Sequence, residues 1–318
     1  MFTSTLTRRL VLTVGLALVL AAPRPSAAQS PYSGIVVFGT SLSDPGNAFA
    51  LTGTQGLPPD FTLSFLNVPS APYAKGGHHF SDGATWIEQY ARTINLADTV
   101  KAAFATTDPR VSNYAVGGAR ARAVGGVPLP TQVGAFLSRT GGVAPSSALY
   151  VIEMGGNDLR DALTVASLGQ DPIAVLEQAV ASIDANIRTL HEKGAREFLV
   201  WTAPNIGTAP AILMLGGQAS TIATQLSGYF NFRLQQKLAT LRTDFSDSYF
   251  GVFDSFSIVN GIISDKDSYG LTNVNTACVA LNEPFTCQNP GDFLFWDGIH
   301  PTKAGHAILA QKAADIIR

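Results

Sequence analysis

From residue 35 onward, short apolar runs of strand length alternate with longer stretches whose apolar residues recur at steps of three and four. Ile35-Val-Val-Phe38 is β-branched, apolar throughout and followed by Gly39, the signature of a strand buried on both faces. Val111–Tyr114, Ala148–Met154, Phe198–Thr202 and Tyr249–Phe253 are four further runs of this kind. Between them, residues 172–193 place Ile173, Leu176, Val180, Ile183, Ile187 and Leu190 on one helical face and stop at Gly194. Residues 85–94, 221–241 and 302–317 are also helical by pattern, the first preceded by a start signal in Ser81-Asp82-Gly83. Strands separated by helices require right-handed crossovers, hence a parallel sheet covered on both faces. The expectation is a doubly wound three-layer α/β sandwich with five strands, in which a ligand would sit at the carboxyl ends of the strands.

No Gly/Pro/Ser linker or internal repeat divides the chain after its first 28 residues, so residues 29–318 read as one domain. The first 28 differ. Arg8 and Arg9 precede an apolar run from Leu10 to Ala22, and Ser26-Ala27-Ala28 follow. That is the three-part plan of a secretory signal peptide, and the run is too short for the roughly 20 residues of a membrane span. The Arg8-Arg9 pair also resembles a twin-arginine export signal. The expectation is an exported protein, secreted or periplasmic, without a stable membrane span. Cys278 and Cys287 are the only cysteines, and outside the cytosol the expected state is a disulfide between them.

The chain has 21 basic and 23 acidic residues, and neither a basic excess nor a charge run points to nucleic acid. There is no phosphate-binding Gly-x-x-x-x-Gly-Lys segment and no dinucleotide fingerprint, so no cofactor is expected. Two cysteines are too few for a structural zinc site. His78 and His79 are adjacent, with Asp82 nearby, but adjacent side chains diverge in extended chain. Surface or cleft lining suits them better than a metal. They end an irregular stretch, residues 48–79, that could wall a substrate site near the strand ends.

Four segments carry the chemistry. Gly39-Thr40-Ser41-Leu42-Ser43-Asp44-Pro45-Gly46-Asn47 follows the first strand, where a serine can project into a cleft. Asn113-Tyr114-Ala115-Val116-Gly117-Gly118-Ala119 and Gly155-Gly156-Asn157-Asp158 follow two others, and Trp296-Asp297-Gly298-Ile299-His300 stands near the carboxyl end. A serine hydroxyl needs a base, usually histidine, oriented by a carboxylate. His300 and Asp297 supply both across a turn. The amides of Ser41 and Gly118 and the Asn157 side chain could stabilise an oxyanion. Asn113 reads as a structural hydrogen-bonding residue, and Asp44 and Asn47 as ties for the nucleophile loop or caps for the next helix.

Together the four segments resemble the four blocks of the GDSL, or SGNH, hydrolases of the lipase and esterase type. The matching residues are Ser41, Gly118, Asn157 and His300, with Asp297 completing the triad; Phe80-Ser81-Asp82-Gly83 followed by Trp86 is similar to the larger bacterial and plant members. The resemblance implies a flavodoxin-like sheet of order 2-1-3-4-5 and metal-free hydrolysis of carboxylic esters. It extends over nearly all of residues 35–318. One position departs from the family: Thr40 stands where an aspartate is usual, and a hydroxyl cannot hold a negative charge or accept from two donors as readily as a carboxylate. Asp44 is the neighbour that could take over that role. The substrate would be a small-molecule, lipid or sugar ester. O-acetyl sugar esters and acyl transfer are the alternatives on the same scaffold, and an exported binding protein without chemistry is the alternative of another class.

Overall fold

The computed structural model describes residue 1 and residues 30–56, 66–281 and 285–317. The expected signal peptide at 1–28 therefore lies outside the described residues, apart from Met1. Four regular strands, β1 (Ile35–Phe38), β2 (Leu149–Ile152), β3 (Glu197–Trp201) and β4 (Tyr249–Phe253), form a parallel sheet in that spatial order. Every residue of β1 and β2 is buried, as their unbroken apolar runs require.

The expected fifth strand, Val111–Tyr114, lies along the free side of β1 but is not a regular strand. A single parallel bridge links Val37 to Asn113. Val37 N donates to Ser112 O, Tyr114 N to Val37 O and Val116 N to Gly39 O. Ser112 Oγ donates to Ile35 O at 2.7 Å, and Asn113 Oδ1 accepts from Ala115 N at 3.0 Å. The Ser112 hydroxyl thus takes the Ile35 carbonyl, and Gln132 Oε1 the Gly39 amide, that a ladder would use. The segment lies beside β1, where the expected order put a strand, but the regular sheet has four strands among the described residues, not five.

Successive side chains of each strand enter different cores. Val36, Phe38, Tyr150, Ile152, Phe198 and Val200 pack with helices α3 (Leu129–Arg139), α4 (Gly156–Ser167), α5 (Ile173–Glu192) and α7 (Gly217–Asp244). Ile35, Val37, Leu149, Val151, Leu199 and Trp201 pack on the other face with α2 (Trp86–Thr93), α8 (Ser255–Ser264) and α9 (Lys303–Ala314). Two cores on two faces of one sheet make the three layers. Short helices α1 (Asn47–Thr52) and α6 (Pro210–Leu213) flank the carboxyl ends of the strands. Among the described residues no helix is long and apolar enough to cross a membrane.

Two local expectations change. The start of α2 is set by Thr85, not by Ser81-Asp82-Gly83: Thr85 and Glu88 form a capping box. Ser81 Oγ instead donates to Pro301 O at 2.8 Å, and Asp82 Oδ1 accepts the Lys303 amide, capping α9 from a distant segment. A second sheet was not expected at all. Strands β5 (Asn273–Ala277) and β6 (Phe293–Phe295) pair in parallel just before the Asp297–His300 loop. The three-residue β6 is too short to carry a readable pattern. Cys278 and Cys287 form the expected disulfide beside this sheet.

Candidate active site

Ser41, Asp297 and His300 come together at the carboxyl ends of β1 and β6. Ser41 Oγ lies 2.8 Å from His300 Nε2, and His300 Nδ1 lies 2.8 Å from Asp297 Oδ2. All three are buried, Asp297 and His300 almost completely. Asp297 Oδ1 also accepts the amides of Ile299 and His300, each at 2.9 Å, so the carboxylate folds its own loop around the imidazole. Trp296 N donates to His300 O at 2.7 Å and closes that loop. Gly298 N donates to Asn67 O and Gly298 O accepts from Ala211 N, which moors it to two further segments.

Tyr73, from the irregular stretch, donates its hydroxyl to Asp297 Oδ2 at 2.8 Å. Burial and the Asp297 charge both push the phenol's pKa far up, so Tyr73 is a permanent donor here. The Trp296 ring lies edge-on to Tyr73 at 5.8 Å and backs this contact. The Phe80 ring sits 5.3 Å from that of His300.

The turn bearing Ser41 is held from beneath. Parallel pairing matches Phe38 with Ile152, which brings Glu153, one residue beyond β2, under Thr40. Thr40 N donates to Glu153 Oε2 at 2.9 Å, and Thr40 Oγ1 is 2.9 and 3.0 Å from the two carboxyl oxygens. Burial raises the Glu153 pKa to about 7 against the hydrogen bonds from Thr40 and Ser43 that lower it. The carboxyl bonded to Thr40 is that of Glu153, not of Asp44. Asp44 is engaged elsewhere, its Oδ1 accepting from Gly46 and Asn47 and its Oδ2 from Ala48 and Gly117. It caps α1, one of the roles expected of it, and also reaches the Gly117 amide, which was not expected. Burial lifts its pKa to about 6 despite these donors. Asn47 Nδ2 donates to Asn113 O and Ala115 O, and Asn113 Nδ2 donates to Ser43 O, so both are structural. Gln132 grips Gly39 through its N–H and its carbonyl, each at 2.9 Å. Trp86 Nε1 donates to Ser43 Oγ at 2.9 Å.

Gly118 and Asn157 border the same cleft as Ser41 and His300. Gly118 has φ +79°, with open space where a Cβ would lie. Gly117 differs: its Cβ would stand 2.1 Å from Phe80 Cε2. Asn157 Nδ2 donates to Ala119 O at 2.8 Å, and Asn157 Oδ1 accepts from Arg160 Nη1 at 3.3 Å. These bonds fix the amide, and its second N–H has no partner among the described residues. Ser41, Asn157, Arg160, Ile299 and His300 form the wall shared by two cavities. One, about 90 Å³, is lined mostly by apolar residues that include Ile206, Ala209, Ile212, Val259 and Leu309. The other, about 100 Å³, runs past Val68, Ser70, Phe80 and the two glycines.

His79 is buried, contrary to the expected surface or cleft lining: Nδ1 contacts Gly76 O at 2.7 Å and Nε2 lies 2.8 Å from the Glu88 carboxylate. Glu88, four positions before Arg92 on α2, gave no sign in sequence of an ion-pair partner at 79. His78 stacks on Phe49 at 3.6 Å. His191 pairs with Asp247, and His306 is buried beneath α2, where desolvation depresses its pKa to about 3. Tyr73, Glu153, Gln132 and Arg160 went unnoticed in sequence. Only Glu153, a charged residue inside an apolar strand run, left a local signal.

Residues 35–313 match the family described as GDSL-like lipase/acylhydrolase. A GDSL esterase/lipase of Arabidopsis thaliana is 24% identical over 88% of this chain and 84% of its own length. A second from the same plant is 26% identical over 93% of this chain and 86% of its own. Among solved structures, an extracellular lipase of Streptomyces rimosus aligns over 88% of this chain and 99% of its own, with 15% identity and a TM-score of 0.38. With the family match spanning almost the whole described chain, this protein belongs to the GDSL-like lipase/acylhydrolase family and is a carboxylic ester hydrolase.

Proposed function

We propose that the chain is an exported serine hydrolase that cleaves carboxylic esters through an acyl-enzyme on Ser41. The observation that carries this reading is the unbroken hydrogen-bonded line from Ser41 Oγ through the His300 imidazole to Asp297. His300 Nε2 removes the Ser41 proton as Oγ attacks the ester carbonyl, while Asp297 holds the tautomer and offsets the imidazolium charge. The oxyanion forms facing the Ser41 and Gly118 amides and the free Asn157 N–H. His300 then protonates the departing alcohol. Water enters, gives a proton to His300 and attacks the acyl carbon; the acid leaves and Ser41 regains its proton. The apolar cavity toward Ile206 and Ile212 suits the acyl chain.

The Arg8-Arg9 segment with its apolar run supports export, and the Cys278–Cys287 disulfide suits an oxidising compartment. Residues 29–318 are taken to act as one domain. Hydrolysis of p-nitrophenyl acetate, butyrate and palmitate by the wild type and by Ser41→Ala tests the mechanism. The variant should lose at least about a thousandfold in kcat with its fold intact. Comparable turnover without Ser41 would remove it as nucleophile, and the chain-length profile would separate long-acyl from acetyl esters.

A further inference from the structure

Arg160 stands on α4 in the wall between the two cavities, alongside Ser41 and His300. The other arginines of this region are committed to carboxylates. Arg120 pairs with Asp161 at 2.9 Å, and Arg122 pairs with Asp158 at 2.9 Å and also with Asp161. Arg160 has no carboxylate partner among the described residues; the one hydrogen bond of its guanidinium there is the 3.3 Å contact to Asn157 Oδ1. It is only partly exposed, and burial, reinforced by the nearby Arg120 charge, pulls its pKa below the usual arginine value against Asp161 and Asp297. A guanidinium remains charged all the same. The other charged group lining the apolar cavity, Glu153, is taken up by Thr40. A half-desolvated cation without a counter-ion is unfavourable unless something arriving in the cleft supplies one. Its planar fork matches a carboxylate or similar anion.

We propose that Arg160 is a specificity-determining residue that binds an anionic group carried by the ester, so that the preferred substrates are esters with a carboxylate or comparable anion within a few bonds of the scissile carbonyl. This rests on the function proposed above. The anion could belong to the acyl or the alcohol portion, and two substrate pairs separate these sources. The mono-p-nitrophenyl ester of glutarate against p-nitrophenyl pentanoate tests the acyl side; 3-acetoxybenzoate against phenyl acetate tests the alcohol side.

In at least one pair, Arg160→Gln should lower the anionic-to-neutral ratio of kcat/KM at least tenfold, mainly through KM, and Arg160→Lys should restore part of it. An unchanged ratio in both pairs would overturn the proposal. Calorimetric titration of Ser41→Ala with glutarate and with benzoate reads the same contact without turnover. Binding of either anion that is lost on adding Arg160→Gln supports the site, and absent or Arg160-independent binding of both refutes it. If Ser41→Ala still turned over the neutral esters, the acyl-enzyme reading would fail separately from this one.

Discussion

Glu153→Gln isolates the carboxyl that holds Thr40 beneath the nucleophile turn. Glu153 is 4% exposed, with burial raising its pKa from 4.5 to about 7. Because the folded value lies above the unfolded one, the folded state binds the proton more tightly. Its stabilising contribution is complete below pH 4.5 and declines as pH rises toward about 7. At 1.36 kcal/mol per pKa unit, wild type should lose roughly 2–3 kcal/mol from this group between pH 5 and 8.5. Glutamine imitates the protonated side chain: its carbonyl can accept from Thr40 N, its amide can donate to Thr40 Oγ1, and it does not titrate. Urea unfolding of both proteins at pH 5, 6, 7 and 8.5 reads the difference, and other titrating groups cancel between them. The glutamine variant should gain on wild type by roughly 2–3 kcal/mol across that range. A gap independent of pH would refute the reasoning. So would a gap moving the other way, since the Thr40 and Ser43 donors would then stabilise the carboxylate by more than burial opposes it.

Tyr73→Phe removes the donor 2.8 Å from Asp297 Oδ2 while leaving the two amides on Oδ1. Loss of a hydrogen bond to a charged group of about 1.4 kcal/mol should lower kcat/KM about tenfold through kcat; ester kinetics within twofold of wild type would show that Asp297 needs no such partner. The adjacent glycines should respond differently. Gly117→Ala drives a Cβ to 2.1 Å from Phe80 Cε2, and Phe80 rests 5.3 Å from the His300 ring, so stability should fall by roughly 1–3 kcal/mol and turnover with it. Gly118→Ala meets open space and only the strain of φ +79°, about 1–2 kcal/mol, so its turnover should fall less than that of Gly117→Ala. Thermal unfolding and p-nitrophenyl butyrate kinetics on both variants check this, and the reverse ranking would contradict it.

Local pattern alone made the layers legible. Strand runs such as Ile35–Phe38 and the helical face from Ile173 to Leu190 each carry their own period, and alternation of the two forces a covered parallel sheet. The Ser41, Gly118, Asn157 and Asp297-to-His300 segments were legible for the same reason, each being a few contiguous residues. Strand count was less so, because the Ser112 side chain takes a β1 carbonyl that a ladder would use, and nothing in the run Val111–Tyr114 signals that choice.

What the sequence by itself determined is the strand–helix alternation and the order in which the chemical groups follow one another. What only the tertiary structure decided is which partner each group has. Thr40 and Glu153 are 113 residues apart, and Tyr73 and Asp297 are 224 apart. The first pair meets because β1 and β2 pair with Phe38 opposite Ile152; a shift of one residue would turn Glu153 away from the nucleophile turn. Periodicity reports which face of an element is buried. It carries no information on what stands across that face, and the support of Ser41 and Asp297 comes from there.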